Sequence, residues 1–141
     1  MKNIIKFLAL AAMVSFCTNS YADNESVEKK ITGKWYNPYS YQSNGQKLGF
    51  KYKKNGKCKA LGVADLKLQS WEIRKDGKLH VYGYQRDGEC APWDVYESFE
   101  EIDVLNEESL RLVTTRKPFE LAFFYMRCKA MKAKYTPQKK N

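Results

Sequence analysis

Four dipeptides punctuate the chain: Asn44-Gly45, Asn55-Gly56, Asp76-Gly77 and Asp87-Gly88. Asn-Gly and Asp-Gly supply the positive φ angles that tight hairpin turns require, and they are the strongest short-range hairpin signal. Their spacings are 11, 21 and 11 residues. The long interval is about twice the others, which places one more turn near Ala64 to Lys67. Asn106-Glu107-Glu108-Ser109 and Lys117-Pro118 break the chain again further on. A chain interrupted this often has no room for long helices. It reads as a series of short antiparallel strands.

The segments between the turns agree. They are Gly33–Gln42, Lys47–Lys54, Lys57–Ala64, Leu68–Lys75, Lys78–Arg86, Asp94–Leu105, Ser109–Arg116 and Phe119–Arg127, eight runs rich in β-branched and aromatic residues. The 10 Tyr, 7 Phe and 3 Trp favour strands over helices. Period-2 alternation is visible in several. Leu48, Phe50 and Tyr52 oppose Lys47, Lys51 and Lys53; Trp71 and Ile73 oppose Glu72 and Arg74; Leu110 and Leu112 oppose Arg111. In Asp94–Leu105 the apolar positions Tyr96, Phe99, Ile102 and Leu105 change parity. A β-bulge repairs the alternation, and a helix with i, i+3 spacing is the competing reading.

Eight sequential antiparallel strands must hide two edges. Closure into an up-and-down barrel removes both, whereas a two-sheet sandwich usually needs long crossovers that this chain lacks after residue 31. The expected fold is therefore all-β, a single small eight-stranded antiparallel barrel over residues 31–128. Eight strands leave an interior just wide enough for side chains or one small ligand.

Residues 1–22 read as a secretory signal peptide. Lys2 and Lys6 precede the apolar run Phe7 to Phe16, and Ser20 and Ala22 are the small residues a signal peptidase reads. Ten apolar residues make only about 15 Å of helix, half of what a membrane anchor requires. Export to the periplasm or the medium follows, with Asp23 as the first mature residue. Val14-Ser15-Phe16-Cys17 offers an alternative, a lipoprotein anchored to the membrane through Cys17, although Phe16 stands where a small residue normally precedes the lipidated Cys. Residues 23–30 form a polar linker. Without Lys2 and Lys6 the mature chain carries a net charge of +7. The basic tail 129–141 holds Lys129, Lys132, Lys134, Lys139 and Lys140. It is a solvated terminus or a weak membrane contact. An exported protein rarely meets nucleic acid, so no nucleic-acid partner is expected.

Gly33-Lys34-Trp35 opens the first strand and Phe124-Tyr125-Met126-Arg127 closes the last. Between them lie Phe50 to Gly56 with its Asn-Gly, Trp71-Glu72-Ile73, Ile102 to Leu105 and Leu110-Arg111-Leu112. In order and spacing this resembles the bacterial lipocalin-like domains of the calycin superfamily, over about residues 31–128. The resemblance implies a structural latch of Gly33, Trp35 and Arg127, with the guanidinium stacked on the indole at the closed end of the barrel. The chain lacks the C-terminal helix pattern of larger lipocalins.

If Trp35 points inward, alternation carries Asn37, Tyr39 and Tyr41 inward as well. The same parity gives a candidate ligand-binding wall of Tyr39, Tyr41, Phe50, Tyr52, Trp71, Ile73, Val81, Phe123 and Tyr125. Aromatic walls with phenol handles line apolar cavities. The same side chains would also fill a solid core. The two outcomes imply two functions: a non-catalytic carrier of a small hydrophobic or amphipathic molecule, or a protein-binding barrel, of the lysozyme- or protease-inhibitor type, acting through its loops.

Catalysis finds little support. His80 is the sole His and falls on the outward parity as a surface residue; Glu97, Glu100, Glu101 and Asp103 read as solvated strand and turn positions. No cofactor is expected, and one His without paired-Cys spacing argues against a metal site. Cys58, Cys90 and Cys128 are the disulfide candidates of an oxidising compartment. Counting strands places Cys58 and Cys128 at the same end of the barrel, which favours that pair.

Overall fold

The computed structural model describes residues 26–116 and 119–137. Residues 1–25, with the signal peptide and Cys17, lie outside it, as do Lys139 and Lys140. The order is a helix at residues 26–31 (α1), β1 (Gly33–Tyr36), α2 (Pro38–Asn44), β2 (Gly49–Tyr52), β3 (Cys58–Leu61), β4 (Leu66–Ile73), β5 (Leu79–Gln85), β6 (Asp94–Leu105), β7 (Ser109–Arg116), β8 (Phe119–Met126) and α3 (Cys128–Lys134). The eight strands form one antiparallel sheet in the order β3-β2-β1-β8-β7-β6-β5-β4. Its two ends meet: Lys57 bridges Ser70, and the Trp71 N–H donates to the Gly56 carbonyl at 2.9 Å. The sheet is thus a nearly closed barrel, as the turn spacing requires.

The turn expected near Ala64 is present, between Gly62 and Asp65. The bulge expected in β6 lies between Ile102 and Val104, and the helical reading of that run is excluded.

Two segments differ from the sequence reading. The run Gly33–Gln42 is a strand only to Tyr36. Asn37 then caps α2, its side chain accepting from the N–H groups of Tyr39 (2.9 Å) and Ser40 (3.3 Å), with Pro38 in the first turn. An Asn cap followed by Pro is a strong helix start, and it overrides the alternation that continued past Trp35. Gly45, at φ 76°, is the left-handed C-cap of this helix, not a hairpin turn. The second difference is at the C-terminus. Residues 128–134, read as the start of a basic tail, form α3, and Met131 is fully buried beside Tyr41 and Met126 on the outside of the barrel.

Burial divides the barrel along its axis. The half nearer α1 is a packed core of Ile31, Trp35, Tyr52, Trp71, Leu79, Leu110 and Leu112. Trp35 Nε1 donates to the Ile31 carbonyl at 2.8 Å, which holds α1 as a plug against the base. Arg127 lies over the Trp35 ring, 3.8 Å from its centroid. Its guanidinium donates to the carbonyls of Lys30 (2.8 Å), Thr32 (2.9 Å) and Lys34 (3.0 Å). A Cβ on Gly33 would sit 2.6 Å from Arg127 Nη1, and Gly33 has φ 115°. Glycine is required there on both counts. The upper half is built differently.

Candidate functional site in the upper barrel

The bulge in β6 shapes the site. Its N-terminal half pairs with β5 from Asp94 to Glu100, while its C-terminal half pairs with β7 only over Glu101–Leu105. Above the Glu101–Val113 pair, the β7–β8 hairpin runs on without β6. A cavity of about 640 Å³ lies in the space between.

Cross-strand partners share a face, so the register identifies the side chains that line it from within. Leu79, Val81 and Gly83 face inward and are paired with Glu100, Ser98 and Tyr96. Leu110, Leu112 and Thr114 are paired with Tyr125, Phe123 and Leu121. Phe50 closes the wall from β2, edge-on to Tyr125 with centroids 5.5 Å apart. Phe123 and Leu121 keep 42% and 47% of their surface exposed although they face inward, which marks the cavity as open to solvent.

Glu100 and Ser98 pair with the core residues Leu79 and Val81, and Gln85 and Thr114 add further polar groups to the lining. Burial raises the Glu100 carboxyl above its ordinary value, and the neighbouring Ser98 hydroxyl holds the rise back. Ser98 Oγ is itself buried and makes no hydrogen bond of ordinary length, so its interaction with Glu100 is a weak one. Tyr125 is pushed up by burial first, then by the charges of Glu100 and Tyr96. Tyr52, fully enclosed below, is raised well above the usual phenol range by burial, then by Tyr125 and Glu100. The resulting site is a cavity with aromatic side chains in its wall and Glu100, Ser98, Gln85 and Thr114 among its polar lining.

Residues 27–128 match the family model of lipocalin-like proteins. The chain belongs to the lipocalin-like family. The crystal structure of a lipocalin-like protein from Bacteroides thetaiotaomicron VPI-5482 is similar in fold, with 24% identity, a TM-score of 0.53, and coverage of 69% of this chain and 97% of that one. No curated protein matches the chain. The lipocalin-like barrel is in general the fold of a binding protein.

Within this lipocalin-like barrel the nine wall residues read from sequence separate into three groups. Phe50, Phe123 and Tyr125 line the cavity. Tyr52, Trp71, Ile73 and Val81 belong to the packed core below it; Tyr52 and Trp71 meet edge-on at 5.5 Å, and Trp71 Nε1 donates to the Lys53 carbonyl. Tyr39 and Tyr41 are not in the lumen at all. Both ride on α2, Tyr39 78% exposed and Tyr41 buried against α3. Tyr96, Ser98, Glu100, Thr114 and Leu121 are wall residues that the sequence reading omitted. Alternation counted back from Tyr96 across Ser98 to Glu100 carries the signal, and the bulge beyond Ile102 hides it.

His80 faces outward, as its parity indicates, but its side chain is only 19% exposed. It stacks on Phe99 at 4.5 Å, with Nδ1 3.1 Å from Glu72 and Nε2 2.6 Å from Glu97. Among the described residues no cluster of His, Cys, Asp and Glu is arranged to hold a metal ion. A second concavity of about 530 Å³ lies outside the base and is lined by Glu28, Lys29, Lys54 and Glu72 among others.

The cysteines correct another expectation. Cys58, Cys90 and Cys128 are all free. Cys58 is buried and faces the core with its partner Tyr52, whereas Cys128 is half-buried at the start of α3. Burial pushes the Cys58 thiol up to about 11. The thiolate is the reactive form. In the native protein Cys90, which is exposed, should therefore react promptly with a disulfide reagent, and Cys58 should react only after denaturant is added. Timed labelling with peptide mapping reads this, and equal native rates would contradict the placement.

Glu100 also predicts a pH dependence. Its carboxyl is raised from 4.5 in the folded state, so the folded protein binds more protons than the unfolded chain between the ordinary and the raised values. Stability falls as pH rises through that window and stays lower above it. Glu100→Gln removes the titration. Urea midpoints followed from acidic to neutral pH should show the variant gaining stability relative to the wild type as pH rises. An unchanged difference across that range would contradict the buried carboxyl.

Proposed function

We propose that the protein is a non-catalytic carrier that holds a small hydrophobic or amphipathic molecule in the upper barrel. The observation that supports this most directly is the cavity itself: about 640 Å³, within the range of small-molecule sites of roughly 300–1,000 Å³. Phe50, Tyr96, Phe123 and Tyr125 give its wall an aromatic face, beside polar groups that would orient a guest. The loop-acting inhibitor reading supposes a filled lumen, and the open upper half favours the carrier. We place the carrier outside the cytoplasm, exported by residues 1–22 and released at Asp23, with lipidation at Cys17 as the alternative; the intact mass of the mature protein discriminates the two.

The test is organic extraction of protein purified from its native host, followed by mass spectrometry. A stoichiometric apolar or amphipathic compound, absent from a denatured and refolded sample, is the expected result. No compound bound, together with no saturable uptake of any apolar probe, would overturn the carrier reading.

A further inference from the structure

The lumen also indicates the chemistry of its guest, an inference that rests on the carrier reading above. We propose that the cavity selects an amphiphile whose polar end is a protonated amine: Glu100 receives the ammonium group while Phe50, Phe123 and Tyr125 cover the hydrocarbon.

The sign of the charge comes from the register. Among the described side chains that line the cavity from the inner face, Glu100 is the only charged one. Lys78 and Glu97 also border the cavity; Glu97 has the outward parity next to Ser98, and Lys78 stands in the turn just before β5. Glu97 is engaged with His80 at 2.6 Å. The chain as a whole carries +9, yet the interior that a ligand meets is negative. An alkyl carboxylate would bring a second negative charge beside Glu100 in a site of low dielectric, where like charges repel strongly. An alkyl ammonium would relieve the desolvated carboxylate instead, through a charge-assisted hydrogen bond.

The remaining polar atoms fit the same guest. An ammonium is a donor of three hydrogens and accepts none. The buried Ser98 hydroxyl, which makes no hydrogen bond of ordinary length, can accept one of these hydrogens, with Glu100 taking another. The ring faces of Phe50 and Tyr125 are negative in their quadrupole and tolerate a nearby cation. A neutral alcohol satisfies the hydroxyl but leaves the carboxylate without a counter-charge.

Dodecylamine, dodecanol and dodecanoate share one hydrocarbon tail and differ only in the head. Each is titrated below its aggregation limit at neutral pH into the full mature protein and into Glu100→Gln, with calorimetry as the readout. The wild type should prefer the amine to the carboxylate by about tenfold or more, with the alcohol between them. In Glu100→Gln the amine-over-alcohol ratio should collapse toward one. Equal affinities for the three heads in the wild type would overturn the inference and leave the carrier reading intact. An amine preference that survives in Glu100→Gln would remove the assignment to Glu100. Saturable binding of none of the three would overturn this inference and count against the carrier reading as well.

Discussion

Replacing Trp35 by alanine should destabilise the barrel by about 3–5 kcal/mol, the usual loss when a large aromatic is removed from a packed core. Trp35 is completely buried at the centre of the base. Its ring carries three connections at once: core packing with Tyr52 and Leu110, the hydrogen bond to the Ile31 carbonyl that seats α1, and the stack under Arg127. Domains of this size hold only about 5–15 kcal/mol in total. The variant should therefore unfold at a far lower urea concentration. A loss under about 1 kcal/mol would mean that the base is not the packed core described, since only surface sites behave so mildly.

Arg127→Ala should have the second-largest effect, about 2–4 kcal/mol, because it leaves carbonyl acceptors unpaired and removes the cation–π contact. The Lys30, Thr32 and Lys34 carbonyls converge on one guanidinium. A lysine cannot stack flat and reach three acceptors together, so Arg127→Lys should recover little of the loss. The two changes should also be non-additive. In a double-mutant cycle with Trp35→Ala, contacting residues couple by about 0.5–3 kcal/mol. Additive losses would mean that the stack contributes nothing.

Much of this architecture is legible in the chain because its turns depend on backbone angles that few residues adopt. Asn55-Gly56, Asp76-Gly77 and Asp87-Gly88 mark strand ends in the fold as they do in the sequence. Asn44-Gly45 did not, because the same left-handed glycine that closes a hairpin also ends a helix. Local chemistry at Asn37-Pro38 competes with the alternation of Trp35, Asn37, Tyr39 and Tyr41, and the cap wins over seven residues. That shift moves Tyr39 and Tyr41 from the lumen to the outside.

Glu100 was harder to see for a different reason. It stands among Glu97, Glu101 and Asp103, which read together as a solvated run. Only the register separates it from them, placing Glu100 with Leu79 and Glu97 with Tyr82 on opposite faces. Cys58 and Cys128 show the same limit. Strand counting brings them toward one end of the barrel, but it does not say how their side chains are placed there, and both thiols are free.

The claim that the upper barrel is a binding cavity is tested most directly by filling it. Ser98 lines the cavity from β6, on the inward parity with Tyr96 and Glu100. A Ser98→Phe side chain would occupy that space. The neutral dye Nile red, titrated by fluorescence, should bind the wild type saturably at one site and should lose that binding in Ser98→Phe, with circular dichroism confirming an intact barrel. Unchanged dye binding in a folded Ser98→Phe protein would contradict the cavity as the site.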